Sequence, residues 1–139
     1  MSADRTDVLA INQAFYDAFS TGDLQKMESI WARNAPVACA HPGAPLLVGR
    51  DVVLESWESI LSAKERPQIM CIEPQPHLLD QTAYVTCYEQ LGGSSGSILL
   101  ATNIFTREDG GWRIVHHHAG PTPLRPRSTS SSASDQILH

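Results

Sequence analysis

The chain has 139 residues, 42% of them hydrophobic, and carries 10 Lys and Arg against 15 Asp and Glu for a formal charge of −5. That length and apolar content fit one domain with its own core. An acidic balance with no basic stripe beyond Arg125 and Arg127 lacks the many cationic contacts on which nucleic-acid binding rests. No stretch approaches the roughly 20 apolar residues of a membrane-spanning helix, and no basic start leads into an apolar run, so the expectation is a cytoplasmic protein with no membrane partner. Cys39, Cys71 and Cys87 are odd in number and widely spaced, which reads as buried thiols rather than a disulfide framework or a zinc knuckle.

From Arg5 to Ser20 the apolar residues Val8, Ile11, Phe15, Ala18 and Phe19 recur every three or four positions, the mark of an amphipathic helix. Gly22 stops it, Asp23 can cap the next one, and Leu24, Met27, Ile30 and Trp31 resume the periodicity. Pro36 ends that second helix. Val37 to His41 reads as a short strand, Pro42-Gly43-Ala44-Pro45 as a turn, and Leu46 to Val48 as a brief apolar piece before Gly49. Asp51 suits the first turn of a third helix with its face drawn by Val53, Leu54, Trp57, Ile60 and Leu61. Beyond Pro67 the period changes to two. Gln68 to Glu73, Ala83 to Leu91, Ser97 to Thr106 and Trp112 to Ala119 read as strands of an antiparallel meander, joined at Gly92–Gly96 and Glu108–Gly111. Helices first and strands afterwards is the α+β pattern, three helices on one face of a twisted sheet that leaves a cavity at its open end. Residues 1–120 form the expected domain. Residues 121–139 are rich in Pro and Ser and are expected to be a flexible tail.

Three strings carry a family resemblance: Ala14-Phe15-Tyr16-Asp17-Ala18-Phe19-Ser20-Thr21-Gly22-Asp23, then His41-Pro42-Gly43 with Gly49-Arg50-Asp51 and Ser56-Trp57, then Gly111-Trp112-Arg113-Ile114-Val115-His116-His117-His118. In that order and spacing, over roughly Val8 to Pro121, the chain resembles the SnoaL-like branch of the nuclear transport factor 2-like superfamily, which includes ketosteroid isomerase. The resemblance implies a cone of helices wrapped by a curved, mostly antiparallel sheet, commonly a homodimer, with a small-molecule pocket inside. It does not imply a reaction, because the superfamily spans isomerases, dehydratases, cyclases, hydrolases and associative domains.

Against the isomerase pattern, His41 before Pro42 stands where an Asp is the general base. Imidazole titrates near neutrality and can take and return a proton there. Asn103 stands where a protonated Asp holds the oxyanion, and its amide donates a hydrogen bond without transferring a proton. The isomerase Tyr aligns with Phe15, while Tyr16 falls on a different helical face. Strand alternation sends His116 and His118 to one face and His117 to the other, and similar sequences favour the first and third of these places, so His116 and His118 are assigned to the pocket. Pocket hydrogen bonding, a structural role and a metal site shared with His41 all stay open for them; no acidic residue or Cys stands at ligand spacing, and no metal is assigned. Glu89 shares a face with Val85, Cys87 and Leu91, an apolar surround that would raise a carboxyl pKa. Trp57 serves as core packing or as a pocket wall. No Gly-rich phosphate cradle precedes a helix and no nucleophile elbow with triad partners appears, so no cofactor is expected.

Two functions compete on these residues. One is a pocket that binds a small apolar molecule and moves a proton, with His41 as base, Asn103 as enolate contact, and Phe15, Trp57, Glu89, His116 and His118 around it. The other is a non-catalytic dimeric association or ligand-binding module.

Overall fold

A computed structural model describes residues 2–92 and 97–123. Three helices, α1 (Ser2–Thr21), α2 (Leu24–Ile30) and α3 (Arg50–Leu61), pack on a sheet built from β1 (Ala38–Ala40), β2 (Leu47–Val48), β3 (Ile69–Leu79), β4 (Thr82–Leu91), β5 (Ile98–Glu108) and β6 (Gly111–Pro121). The strand order is β2-β1-β6-β5-β4-β3, antiparallel throughout except where β1 runs parallel to β6. This is the expected α+β architecture. The hairpin loop at 93–96 and the tail from 124 lie outside the described residues. Among those that are described, no helix is long and apolar enough to cross a membrane.

Helix α1 lies against β3, β4 and β6 and buries a broad stripe: Val8, Asn12, Phe15, Tyr16 and Ala18. Residues 12 and 16 are one turn apart, and 15 and 16 are only about 100° apart around the axis. A helix sunk into a concave sheet buries a stripe wide enough for both. Tyr16 is therefore on the inner face with Phe15, not on a separate one. At the end of α1, Gly22 adopts φ +70° and lets the Asp23 amide reach back to the Ala18 carbonyl at 2.9 Å, and Asp23 then caps α2 by accepting from the Lys26 amide at 3.0 Å. The Arg66 guanidinium sits over this corner, donating to the carbonyls of Phe19, Ser20 and Leu61.

Two irregularities decide which side chains face inward. Strand β3 runs on past Glu73, where a shorter strand was expected, through Pro74 and Pro76 to Leu79. It tolerates the prolines because it is the sheet's edge, and the register slips between Ile72 and Gln75 with Glu73 at φ 55°. In β6 the register with β5 jumps from Phe105↔Ile114 to Ile104↔His116, so Val115 is an extra residue. The inner face of β6 accordingly reads Trp112, Ile114, His117 and Ala119. A bulge reverses the phase of everything that follows it.

Candidate functional site

The inner faces of β4, β5 and β6 bring Glu89, Asn103 and His117 together beneath α1, all three buried. Asn103 and His117 are direct register partners. Asn12 and Tyr16 reach down from α1 to meet them. The Tyr16 hydroxyl donates to Glu89 Oε2 at 2.6 Å. Asn103 Nδ2 donates to Tyr16 Oη at 3.1 Å and to Asn12 Oδ1 at 2.8 Å. Asn103 Oδ1 is 2.6 Å from His117 Nδ1.

These bonds run in one direction. With Tyr16 spending its proton on Glu89, the Asn103 amide group must be the donor to Tyr16, which turns its carbonyl toward His117. The hydrogen-bond roles thus assign the His117 proton to Nδ1 and leave Nε2 as a lone-pair acceptor, 3.9 Å from Glu89 Oε2. Asn103 has no N–H donor to spare for a ligand.

Burial governs the electrostatics. It raises the Glu89 carboxyl to about 7, against the opposing pull of the Tyr16 hydrogen bond. Burial, followed by the neighbouring histidines His41, His116 and His118, lowers His117 to about 3, so its imidazole is neutral. The Tyr16 phenol is pushed well above its ordinary value by burial and then by Glu89, and it stays a donor.

A cavity of about 220 Å³ opens onto this cluster. Phe15, Trp57, Leu99, Glu89 and His117 form its buried floor and walls, while the exposed Pro42 and Pro67 stand at its mouth. Phe15 and Trp57 meet edge to face with centroids 5.3 Å apart, and the Trp57 indole N–H has no acceptor among the described residues. No Lys or Arg lines the cavity.

His41 also lines it, half-buried, edge-on to Trp57 at 4.7 Å. Its Nε2 lies 3.0 Å from Ser56 Oγ, which gives its own proton to the Val53 carbonyl at 2.7 Å. Ser56 is therefore the acceptor, His41 carries its proton on Nε2, and Nδ1 keeps a lone pair. Burial lowers the His41 pKa.

Of the residues expected at the pocket, Phe15, His41, Trp57 and Glu89 line it, and Asn103 stands one bond behind it. His116 and His118 do not. The Val115 bulge places them on the outer face of the sheet, His118 exposed and their rings 6.3 Å apart, and puts His117 in the pocket instead. The three-histidine set of His41, His116 and His118 is split across the sheet, and no group of three metal-ligating residues is gathered among the described residues. The site also holds Tyr16, expected on a different helical face, and Asn12 and Ser56, for which no site role was expected. For Asn12 a signal was present, a polar residue four positions before Tyr16 on an otherwise apolar helix face.

The model of the SnoaL-like domain family matches residues 8–123. A Streptomyces avermitilis protein of the nuclear transport factor 2-like family, provisionally named a dehydratase, is 32% identical with a TM-score of 0.80 over 88% of this chain and 99% of its own. A Thiobacillus denitrificans structure provisionally named a calcium/calmodulin-dependent protein kinase type II association domain is 34% identical with a TM-score of 0.72 over 81% of this chain and 93% of its own. The F-box protein SKIP8 of Arabidopsis thaliana is 27% identical over 112 residues, 81% of this chain and 48% of that protein, so the chain spans about half the length of this relative. With the family matched over most of its length, and with the helix cone and curved sheet that go with it, the chain belongs to the SnoaL-like domain family of the nuclear transport factor 2-like superfamily.

Proposed function

We propose that the cavity binds a small, largely apolar organic molecule and moves a proton on it, as an isomerase or lyase acting next to a carbonyl. The observation that carries this reading is the Glu89 carboxyl at the floor of an apolar cavity, raised to about 7 by burial and held by Tyr16. A base with that pKa is matched to proton transfer at neutral pH. The Glu89 carboxylate takes the proton from the carbon beside the carbonyl, and the electron pair moves onto the carbonyl oxygen. Returning the proton at another carbon completes an isomerisation. Giving it to a departing β-hydroxyl, which leaves as water, completes a dehydration. His117 Nε2 and the His41 ring are the remaining polar contacts, and Asn103 is a positioning residue that fixes the His117 tautomer through Nδ1. The similarity to a protein provisionally named a dehydratase favours the lyase branch.

The test is solvent exchange of the α-protons of cyclohexenone in D2O, followed by NMR. Wild-type protein should exceed an equal concentration of free imidazole, and Glu89→Gln and His117→Phe should each lose about 100-fold or more of the excess. Exchange no faster than imidazole, or unchanged in Glu89→Gln, defeats the reading.

An association role is a second reading, supported by the similarity to a protein provisionally named an association domain and by the outward Leu100, 49% exposed on a central strand. It implies a homodimer through the outer sheet face. Light scattering at micromolar concentration should give twice the chain mass; a monomer removes that reading.

A further inference from the structure

Resting on the proton-transfer reading, the geometry points to a substrate class: we infer that the cavity takes a neutral, single-ring molecule bearing a hydroxyl group, whose oxygen sits between the Glu89 carboxyl and His117 Nε2.

Size sets the first limit. An apolar cavity of roughly 150 Å³ accepts benzene, so the 220 Å³ here accommodates one substituted ring. Charge sets the second. An anionic ligand would be desolvated against the His117 lone pair in an apolar cavity, with no Lys or Arg in the lining to offset its charge. A cationic ligand would pair with Glu89 only by holding it ionised, and it would have to give up its hydration in an apolar cavity to do so, a desolvation cost that opposes the attraction of the pair.

The polar pair specifies the rest. His117 Nε2 accepts, because Nδ1 holds its proton against Asn103 Oδ1. The protonated Glu89 carboxyl donates through its O–H, while its Oε2 also accepts from the Tyr16 hydroxyl at 2.6 Å. On the cavity floor the accepting His117 Nε2 lies 3.9 Å from Oε2 of the donating Glu89 carboxyl. An oxygen about 2.8 Å from each subtends an angle of about 90°, within the range of a hydroxyl that gives its proton to one neighbour and receives one from the other. A carbonyl oxygen leaves the His117 lone pair unanswered, and an ammonium offers no acceptor to the Glu89 O–H. A hydroxyl answers both. In a dehydration this hydroxyl is the leaving group: the proton on Glu89 passes to it as the carbon–oxygen bond breaks, and water departs.

The experiment is equilibrium binding, by NMR shift titration at pH 6, of four single-ring probes: benzyl alcohol, toluene, benzoate and benzylammonium. Benzyl alcohol should bind about tenfold or more tightly than the two ions, and more tightly than toluene. In His117→Phe, and independently in Asn103→Leu, the preference over toluene should vanish, with the fold checked by circular dichroism. Tighter binding of either ion, equal binding of toluene and benzyl alcohol to wild type, or binding of none of the four overturns the inference. The outcome separates from the fate of the enzymatic reading: protein that exchanges ketone protons without preferring benzyl alcohol retains proton transfer and loses this substrate class, and the converse result does the reverse.

Discussion

Replacing Asn103 by alanine should lower the unfolding free energy by about 3–5 kcal/mol, read by urea denaturation. The side chain is fully buried and has three partners: it donates to Asn12 Oδ1 and Tyr16 Oη and accepts from His117 Nδ1. Removing it leaves Asn12 Oδ1 and the His117 Nδ1–H buried without a partner, each costing about 1–3 kcal/mol, and takes from Tyr16 Oη one of its bonds while that to Glu89 stays. Asn103→Asp is the informative companion. It preserves shape but replaces two donors with acceptors, so it should be destabilising as well, while the new carboxylate beside Nδ1 raises the pKa of His117. A loss below about 1 kcal/mol for Asn103→Ala would mean that the network is not as closed as its distances indicate.

The second large effect is a change in the pH dependence of stability when Glu89 becomes glutamine. Glu89 is raised in the folded state from 4.5 to about 7, so the native protein holds that proton more tightly than the unfolded chain. Its contribution is fully present below pH 4.5 and is lost as the pH rises through 7. The difference in stability between wild type and Glu89→Gln should therefore fall by about 3 kcal/mol from pH 4 to pH 8. His117 acts with the opposite sign. Lowered from 6.5 to about 3, it contributes stability that is present above 6.5 and lost as the pH falls through 3. Between about pH 4.5 and 6.5 the two slopes oppose each other, so wild type should be nearly flat in this respect while Glu89→Gln gains stability as the pH rises. A difference curve that is flat, or that rises with pH, would place Glu89 in the ordinary carboxylate range.

How far these features could be read beforehand depends on the length scale of the signal. The three helices and the meander follow from apolar period and from breakers such as Gly22, Pro36 and Pro67, local signals that tertiary contacts reinforced. Glu89 was legible for the same reason: alternation with Val85 and Cys87 fixes its face whatever the partner strand does. His117 was not. Its orientation depends on the extra residue at Val115, and a bulge is a property of two paired strands, so a simple alternation counted from Trp112 gives the wrong face from His116 onward. Tyr16 was misplaced because a narrow stripe was assumed for α1, whereas the sheet curves around that helix and buries Phe15 and Tyr16 alike. Pro74 and Pro76 argued for an end to β3, and only its place at the sheet edge, which depends on the whole topology, permits them. Asn103 was placed near the site by resemblance, but its role as the link between Asn12, Tyr16 and His117 needed three elements in register.

Everything proposed for the site depends on a carboxyl that changes its protonation near neutrality beside a neutral imidazole. A carbon-detected NMR titration of the Glu89 side chain, with the His117 ring nitrogens followed in the same sample, measures this directly. The expected result is a Glu89 midpoint near 7 and a His117 ring that keeps its proton on Nδ1 across that range. A Glu89 midpoint at or below 4.5, or a doubly protonated His117 at neutral pH, would contradict it.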